Sequence, residues 1–164
     1  MAEIFMSVML FFKKDDTVLL FQRNKKGCIG DGFYGLPGGG IERDETVLEA
    51  ACREGKEELN IDIYPQDLIV RHVLHLKNPE SERVPVLVVF FVQVFRWDGE
   101  PKNCEEHNHS KLGWFKLDNL PDNTMQSNVH VLKMIECNCI YSEFEEGCAK
   151  LCQIATYGKS ANLS

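Results

Sequence analysis

Residues 38–61 read GGGIERDETVLEAACREGKEELNI, and the organisation of the chain is worked outward from them. Thr46-Val47-Leu48-Glu49 is a Ser/Thr residue followed three positions later by Glu, the pattern of a capping box, so a helix is predicted to start near Thr46. Leu48, Ala51, Cys52, Gly55 and Leu59 recur at helical spacing and are predicted to form the stripe that packs on a sheet. Glu54, Glu57 and Glu58 lie three and four positions apart, so they share one side of the helix, roughly opposite that stripe. Like charges so spaced cost a helix about 0.2–0.5 kcal/mol per pair. A hard divalent cation turns that repulsion into coordination, since Mg²⁺ is held by carboxylates together with substrate phosphate oxygens. Three glutamates alone ordinarily mean a solvated acidic face, so the flanking residues decide.

Those residues follow the order Gly39, five residues, Glu45, seven residues, Arg53-Glu54, then Glu57-Glu58 and Ile61. The stretch resembles the Nudix box, G-x5-E-x7-R-E-U-x-E-E-x-G-U with U aliphatic. Two positions depart from it. Asn60 stands where Gly is usual, a mild change, because Asn also adopts the left-handed conformation that ends a helix. Gly55 stands where an aliphatic residue is usual, which removes a core side chain and costs the helix about 1 kcal/mol relative to Ala.

The chain of 164 residues has 44% hydrophobic and 26% charged residues, the composition of one globular domain. A domain over 1–146 with a peripheral tail over 147–164 is expected. The net charge of −7 argues against nucleic-acid binding, so phosphate recognition must be local. The seven cysteines are an odd number and follow no signal-peptide pattern, so reduced thiols and a cytoplasmic location are expected. The apolar start is too short to span a membrane and reads as a first strand.

Residues 3–12 and 17–22 predict a hairpin, and 68–77 and 84–97 two further strands, the second buried on both faces. His72 and His75 lie three apart on a strand, hence on opposite faces, which disfavours a shared metal. Cys104, His107 and His109 have C-x2-H-x-H spacing but no clear fourth zinc ligand, although Cys137 and Cys139 are conceivable. Residues 113–117 read as a short strand. Residues 125–137 read as a helix that packs through Met125, Val129, Leu132 and Ile135.

Other segments extend the resemblance. Asp31-Gly32-Phe33-Tyr34-Gly35-Leu36-Pro37-Gly38-Gly39 is similar to the segment before the box in MutT-like Nudix members. Glu105 stands nine residues before Trp114, as a glutamate does in some relatives, although Glu106 and Asn108 replace the Pro and Lys usual there. The resemblance implies an α/β fold, an α/β/α sandwich with a central mixed sheet and the box helix against it. It implies Mg²⁺ as cofactor, with Mn²⁺ as substitute, held by Glu54, Glu57, Glu58 and the Gly38 carbonyl. Arg53 would support the carboxylates from behind, and Glu45 would be structural. Glu57, in preference to Glu105, would take a proton from water, with Glu105 otherwise an extra metal ligand. Arg23 would contact phosphate or base, Phe33 or Tyr34 would stack on a base, and Asn128 would meet a base edge.

The implied activity is hydrolysis of a nucleoside diphosphate-linked substrate, a small molecule. The leading substrate is a nucleoside triphosphate, oxidised purines included, cleaved to monophosphate and pyrophosphate. Leu76 and Asn78 stand where ADP-ribose and dinucleoside polyphosphate hydrolases carry Pro and Tyr, and the coenzyme A signature is absent. ADP-ribose or nucleotide-sugar cleavage and nucleotide sensing without cleavage are the alternatives. Monomer and homodimer stay open.

Overall fold

The computed structural model describes residues 4–24, 26, 30–78 and 85–145. The C-terminal tail expected over 147–164 lies outside them, as do Cys28, Cys148 and Cys152.

The predicted hairpin forms from β1 (Phe5–Lys14) and β2 (Thr17–Arg23), and Asp15 turns it with a φ of 54°. One edge of β1 pairs in parallel with β6 (Val86–Val94), from Phe5 opposite Leu87 to Phe12 opposite Val94. Its other edge is shared, because β1 and β2 diverge away from the turn. The segment after the first loop threads between them. There β3 (Tyr34–Gly35) pairs with β2, and β4 (Gly38–Gly40) pairs with Ser7 to Met9 of β1. Between the two, the Leu10 N–H donates to the Pro37 carbonyl at 2.7 Å. β5 (Leu68–Lys77) runs antiparallel to β6, and β8 (Tyr141–Glu145) parallel to β5. β7 (His109–Lys116) covers the far edge of β2 and completes an eight-stranded mixed sheet.

Strand alternation divides the core into two layers. Val8, Leu10, Phe12, Leu19, Phe21, Val92 and Val94 pack with Ala50, Ala51 and Leu59 of α1 (Val47–Leu59). Phe11, Val18, Leu20, Val89 and Phe91 pack with Val131, Leu132 and Ile135 of α2 (Gln126–Glu136). The result is the expected α/β/α sandwich, with β6 contributing to both layers. The strand predicted over 84–97 ends at Val94, and that predicted over 113–117 begins earlier, at His109. The stripe predicted for α2 is rotated. Met125 and Val129 are only half-buried, whereas Asn128 and Val131 face inward.

The caps of α1 are as the sequence predicts. The Thr46 hydroxyl accepts from the Glu49 N–H while the Glu49 carboxylate accepts from the Thr46 N–H, and Asn60 ends the helix at φ 52°, ψ 37°. Gly55 now has a reason. A Cβ there would run into Cδ1 of Ile63, whose Cγ1 would lie only 3.2 Å away, so Ile63 fills the place of the missing aliphatic side chain. Gly55→Ala should gain about 1 kcal/mol of helix propensity but lose about 1–3 kcal/mol to overpacking, for a net destabilisation. In an Ile63→Val background, which removes Cδ1, the same substitution should become stabilising. Urea unfolding of the four proteins of this double-mutant cycle checks the change of sign.

α2, β5 and β8 are tied by a buried relay. The His72 Nδ1 lies 2.7 Å from the Cys139 carbonyl, and its Nε2 lies 2.8 Å from the Ser142 hydroxyl, which His130 Nε2 also meets at 2.8 Å. A carbonyl only accepts, so His72 carries its proton on Nδ1. Ser142 therefore donates to His72 Nε2 and accepts from His130. Burial lowers both histidine pKa values, aided at His130 by the charges of His72 and Lys133 and opposed at His72 by the Cys139 carbonyl. Protonating His72 would set two donors against Ser142. A base whose folded pKa is depressed adds stability above its unfolded pKa, about 6.5, and loses it as pH falls through the folded value. The His72 contribution, read as the difference in urea midpoint between the unsubstituted chain and His72→Gln, should therefore shrink between pH 7.5 and 5.

Candidate active site

The site forms where the segment threaded between β1 and β2 meets the C-terminal half of α1. Within α1, Glu54 and Glu58 point inward with Ala51, Gly55 and Leu59, and of the three carboxylates only Glu57 is exposed. The predicted face with three carboxylates opposite the packing stripe is thus corrected. Two carboxylates lie on the buried side, because the glycines of β4 leave them room. A Cβ on Gly39 would overlap the Glu54 carboxylate. The Gly38 N–H donates to Glu58 Oε2 at 2.7 Å.

Arg53 spends all five of its N–H donors on this arrangement. Its Nε and Nη2 clamp both oxygens of Glu45 at 3.0 and 2.6 Å. Nη1 reaches Glu54 at 2.8 Å and Glu57 at 3.0 Å, and Nη2 also reaches the Gly40 carbonyl at 2.9 Å. It thereby joins β4, the residue before the N-cap and two turns of α1. Hydrogen bonds to Glu45 first, then to Glu54, hold the guanidinium pKa far above its usual value. The Glu45 pKa is lowered in return. Burial raises the Glu54 pKa against the pull of Arg53. Glu58 is pushed up to about 8, chiefly by burial, with the neighbouring Glu54 and Glu105 charges adding to it and the Gly38 N–H opposing it.

The loop before β7 is docked onto the end of this helix. The last carbonyls of a helix lack intrahelical partners. Here the Cys104 N–H donates to the Glu58 carbonyl at 2.9 Å, and the Lys102 N–H to the Leu59 carbonyl at 3.0 Å. A tight turn follows, in which the Asn108 and His109 N–H groups both donate to the Glu105 carbonyl at 2.8 Å. The Asn108 side chain donates to Glu105 Oε2 at 2.8 Å. Glu105 and His109 are thus carried to Glu58, and one ligand atom from each of the three lies within 4.8 Å of the others. They line an open cavity of about 110 Å³ with Arg23, Phe21, Gly38 and Asn108. Arg23 is the ladder partner of His109, beyond a bulge at Gln22. Typical small-molecule pockets span roughly 300–1,000 Å³, so this cavity is small.

The structure brings together Arg23, Gly38, Glu58 and Glu105, with Glu54 and Arg53 behind them. It leaves other expected residues apart. Glu57 belongs to the Arg53 network but lies outside the Glu58–Glu105–His109 group. Tyr34 is corrected from a base-stacking residue to a core residue, 8% exposed and edge-on to Phe115 at 5.0 Å. Phe33 is the exposed aromatic of that pair. Asn128 is 5% exposed, and its Oδ1 accepts from the Leu36 N–H at 2.8 Å, so it braces the cavity wall from behind. The conceivable zinc set does not assemble. Cys104 and Cys137 are exposed, Cys139 donates to the Tyr141 carbonyl, and His109 alone joins a metal-competent group among the described residues. His109 was considered in the sequence only within that incomplete zinc set, and its place beside Glu58 and Glu105 is what sequence reasoning missed. Regular alternation along β7 would have placed Ser110 opposite Arg23; the register shift between Gln22 and Arg23 puts His109 there instead.

The chain belongs to the Nudix family, since the NUDIX domain pattern matches residues 5–134. Among its relatives, the 8-oxo-dGDP phosphatase NUDT18 of Homo sapiens is 32% identical over 114 residues, covering 68% of this chain and 32% of that protein. An ADP-ribose pyrophosphatase of Methanocaldococcus jannaschii is 32% identical over 112 residues, covering 66% of this chain and 60% of that one. The chain therefore spans less than two thirds of the length of either relative. Among solved structures, a MutT NUDIX hydrolase from Burkholderia pseudomallei superposes with a TM-score of 0.72 at 27% identity, covering 80% of this chain and 98% of that one. No helix among the described residues is long and apolar enough to cross a membrane.

Proposed function

We propose that the chain hydrolyses the phosphoanhydride bond of a nucleoside diphosphate-linked small molecule, with a nucleoside triphosphate as the leading substrate, oxidised purines included. The observation that carries this reading is the meeting of Glu58, Glu105 and His109 in a small cavity beside Arg23. Two carboxylates and an imidazole without hydrogen-bond partners for its ring suit a divalent cation, Mg²⁺ or Mn²⁺. When bound, such an ion supplies neutralisation of phosphate charge and activation of water.

The chain's own residues do the rest. Arg23 pairs with a phosphate oxygen. Glu58 is held in place by the Gly38 N–H, and Arg53 positions Glu54 and Glu57. Glu57, the solvent-exposed carboxylate of the trio, with Glu105 of the cavity lining as the alternative, takes the proton as water oxygen bonds to phosphorus and releases it to bulk. The phosphorus–oxygen bond to the leaving pyrophosphate breaks in the same step. Glu54 and the Gly38 carbonyl are the further oxygen donors that the family resemblance implies.

An ADP-ribose or nucleotide-sugar substrate is the second reading, favoured by the archaeal relative. The deciding experiment incubates the protein with nucleoside triphosphates, 8-oxo-dGDP, 8-oxo-dGTP and ADP-ribose, with Mg²⁺ and with Mn²⁺. Monophosphate plus pyrophosphate is the expected product pair. AMP plus ribose 5-phosphate would favour the second reading. Binding without turnover from neutral to alkaline pH would leave a nucleotide sensor.

A further inference from the structure

We propose that His109 supplies a nitrogen ligand to the divalent cation held with Glu58 and Glu105, so that the site selects Mn²⁺ over Mg²⁺, an inference that rests on the hydrolase reading of this cavity and narrows its metal. His109 is 9% exposed, yet its ring makes no hydrogen bond among the described residues. Nδ1 is buried without a partner, and Nε2 lies 3.8 Å from Glu58 Oε1, too far for a hydrogen bond. An imidazole with Nδ1 buried and unpaired, and with Nε2 facing a carboxylate it does not bond, is costly unless a ligand completes it.

The ring is also held rigid. It stacks on Phe21 with centroids 4.2 Å apart and planes 13° from parallel. Its backbone is fixed at both ends, the N–H on the Glu105 carbonyl at 2.8 Å and the carbonyl accepting from the Asn103 side chain at 2.7 Å. One backbone bond therefore couples the imidazole to the carboxylate beside it. Preorganised donors of this kind define a metal subsite more sharply than flexible surface carboxylates do.

The donor set decides the ion. Mg²⁺ demands oxygen ligands and dehydrates reluctantly, whereas imidazole suits first-row transition ions. Replacing one oxygen by nitrogen favours Mn²⁺ and the ions after it in the stability series.

The test is Mn²⁺ titration of the whole chain without nucleotide, followed by pulsed electron paramagnetic resonance. Bound Mn²⁺ should show a hyperfine coupling to nitrogen, and His109→Gln should abolish it. The same substitution should weaken Mn²⁺ about tenfold or more and leave Mg²⁺ within about twofold. Should that variant not fold, ¹⁵N-histidine labelling of the unsubstituted chain asks the same question, because the coupling must move to the ¹⁵N frequency. Mn²⁺ bound by oxygen alone, a coupling that survives His109→Gln, or no Mn²⁺ binding at millimolar concentration overturns the assignment. Oxygen-bound Mn²⁺ in a protein that cleaves nucleotides rejects His109 and leaves the hydrolase reading. Nitrogen-coupled Mn²⁺ in a protein that cleaves none does the reverse.

Discussion

Glu58→Gln is expected to lower turnover by about 10²–10⁴-fold while leaving the fold intact. The amide is nearly isosteric, and its oxygen can still accept the Gly38 N–H, which donates to Glu58 at 2.7 Å. What disappears is the negative charge. In the metal-free protein the substitution should not destabilise and should even help. Burial pushes the Glu58 pKa up to about 8, so folding favours its protonated form. Such a group gives its full stability below the unfolded carboxyl pKa and loses it as pH rises through about 8. In the metal-stripped chain this contribution weakens from pH 5 to 8, opposite in sign to that of His72, so it is read as the difference between the unsubstituted chain and Glu58→Gln. Thermal unfolding with chelator across that range, beside a turnover assay, separates the two effects. Glu57→Gln is the informative companion. It should also cost orders of magnitude in turnover, but without the stability change, because Glu57 is exposed. Near-normal turnover in Glu57→Gln would remove it as the proton acceptor.

Gly38→Ala is expected to cost at least about 3 kcal/mol of stability, the largest structural effect of any single substitution near the site. Gly38 sits at φ 140°, where side chains are strained, and a Cβ would collide with the Val8 carbonyl oxygen across the β1–β4 ladder. Backbone on both sides cannot yield. Gly39→Ala makes the contrast. There the Cβ would meet the end of the Glu54 side chain, which can move. Its stability loss should be smaller, but the displaced carboxylate should sharply reduce turnover. Both variants should lose turnover, Gly38→Ala through Glu58 and Gly39→Ala through Glu54, but urea unfolding should show the large stability loss in Gly38→Ala alone. Near-normal turnover in Gly39→Ala would mean that Glu54 has no part in the site.

Much of this molecule was legible in local pattern. The capping box at Thr46, the left-handed stop at Asn60 and the apolar runs of β1, β2 and β6 depend on neighbours in the chain, and all appear as read. The embrace of Glu45 by Arg53, eight residues away, came from the structure and not from the pattern. Tyr34 was misread because an aromatic at a loop end looks the same whether it turns outward or into the core. Only the packing of α2 and Phe115 decided it.

Helical spacing by itself determined that Glu54, Glu57 and Glu58 are close together, because 3.6-residue periodicity is a property of the backbone. It did not determine which of them faces the sheet, since that depends on how the helix is rolled against β4, where Gly39 makes space for Glu54. Only the tertiary structure brought Glu105 and His109 to Glu58. The cause is the unpaired carbonyls at the end of α1, which capture a loop more than forty residues further on. No spacing rule encodes a contact between groups so distant in the chain.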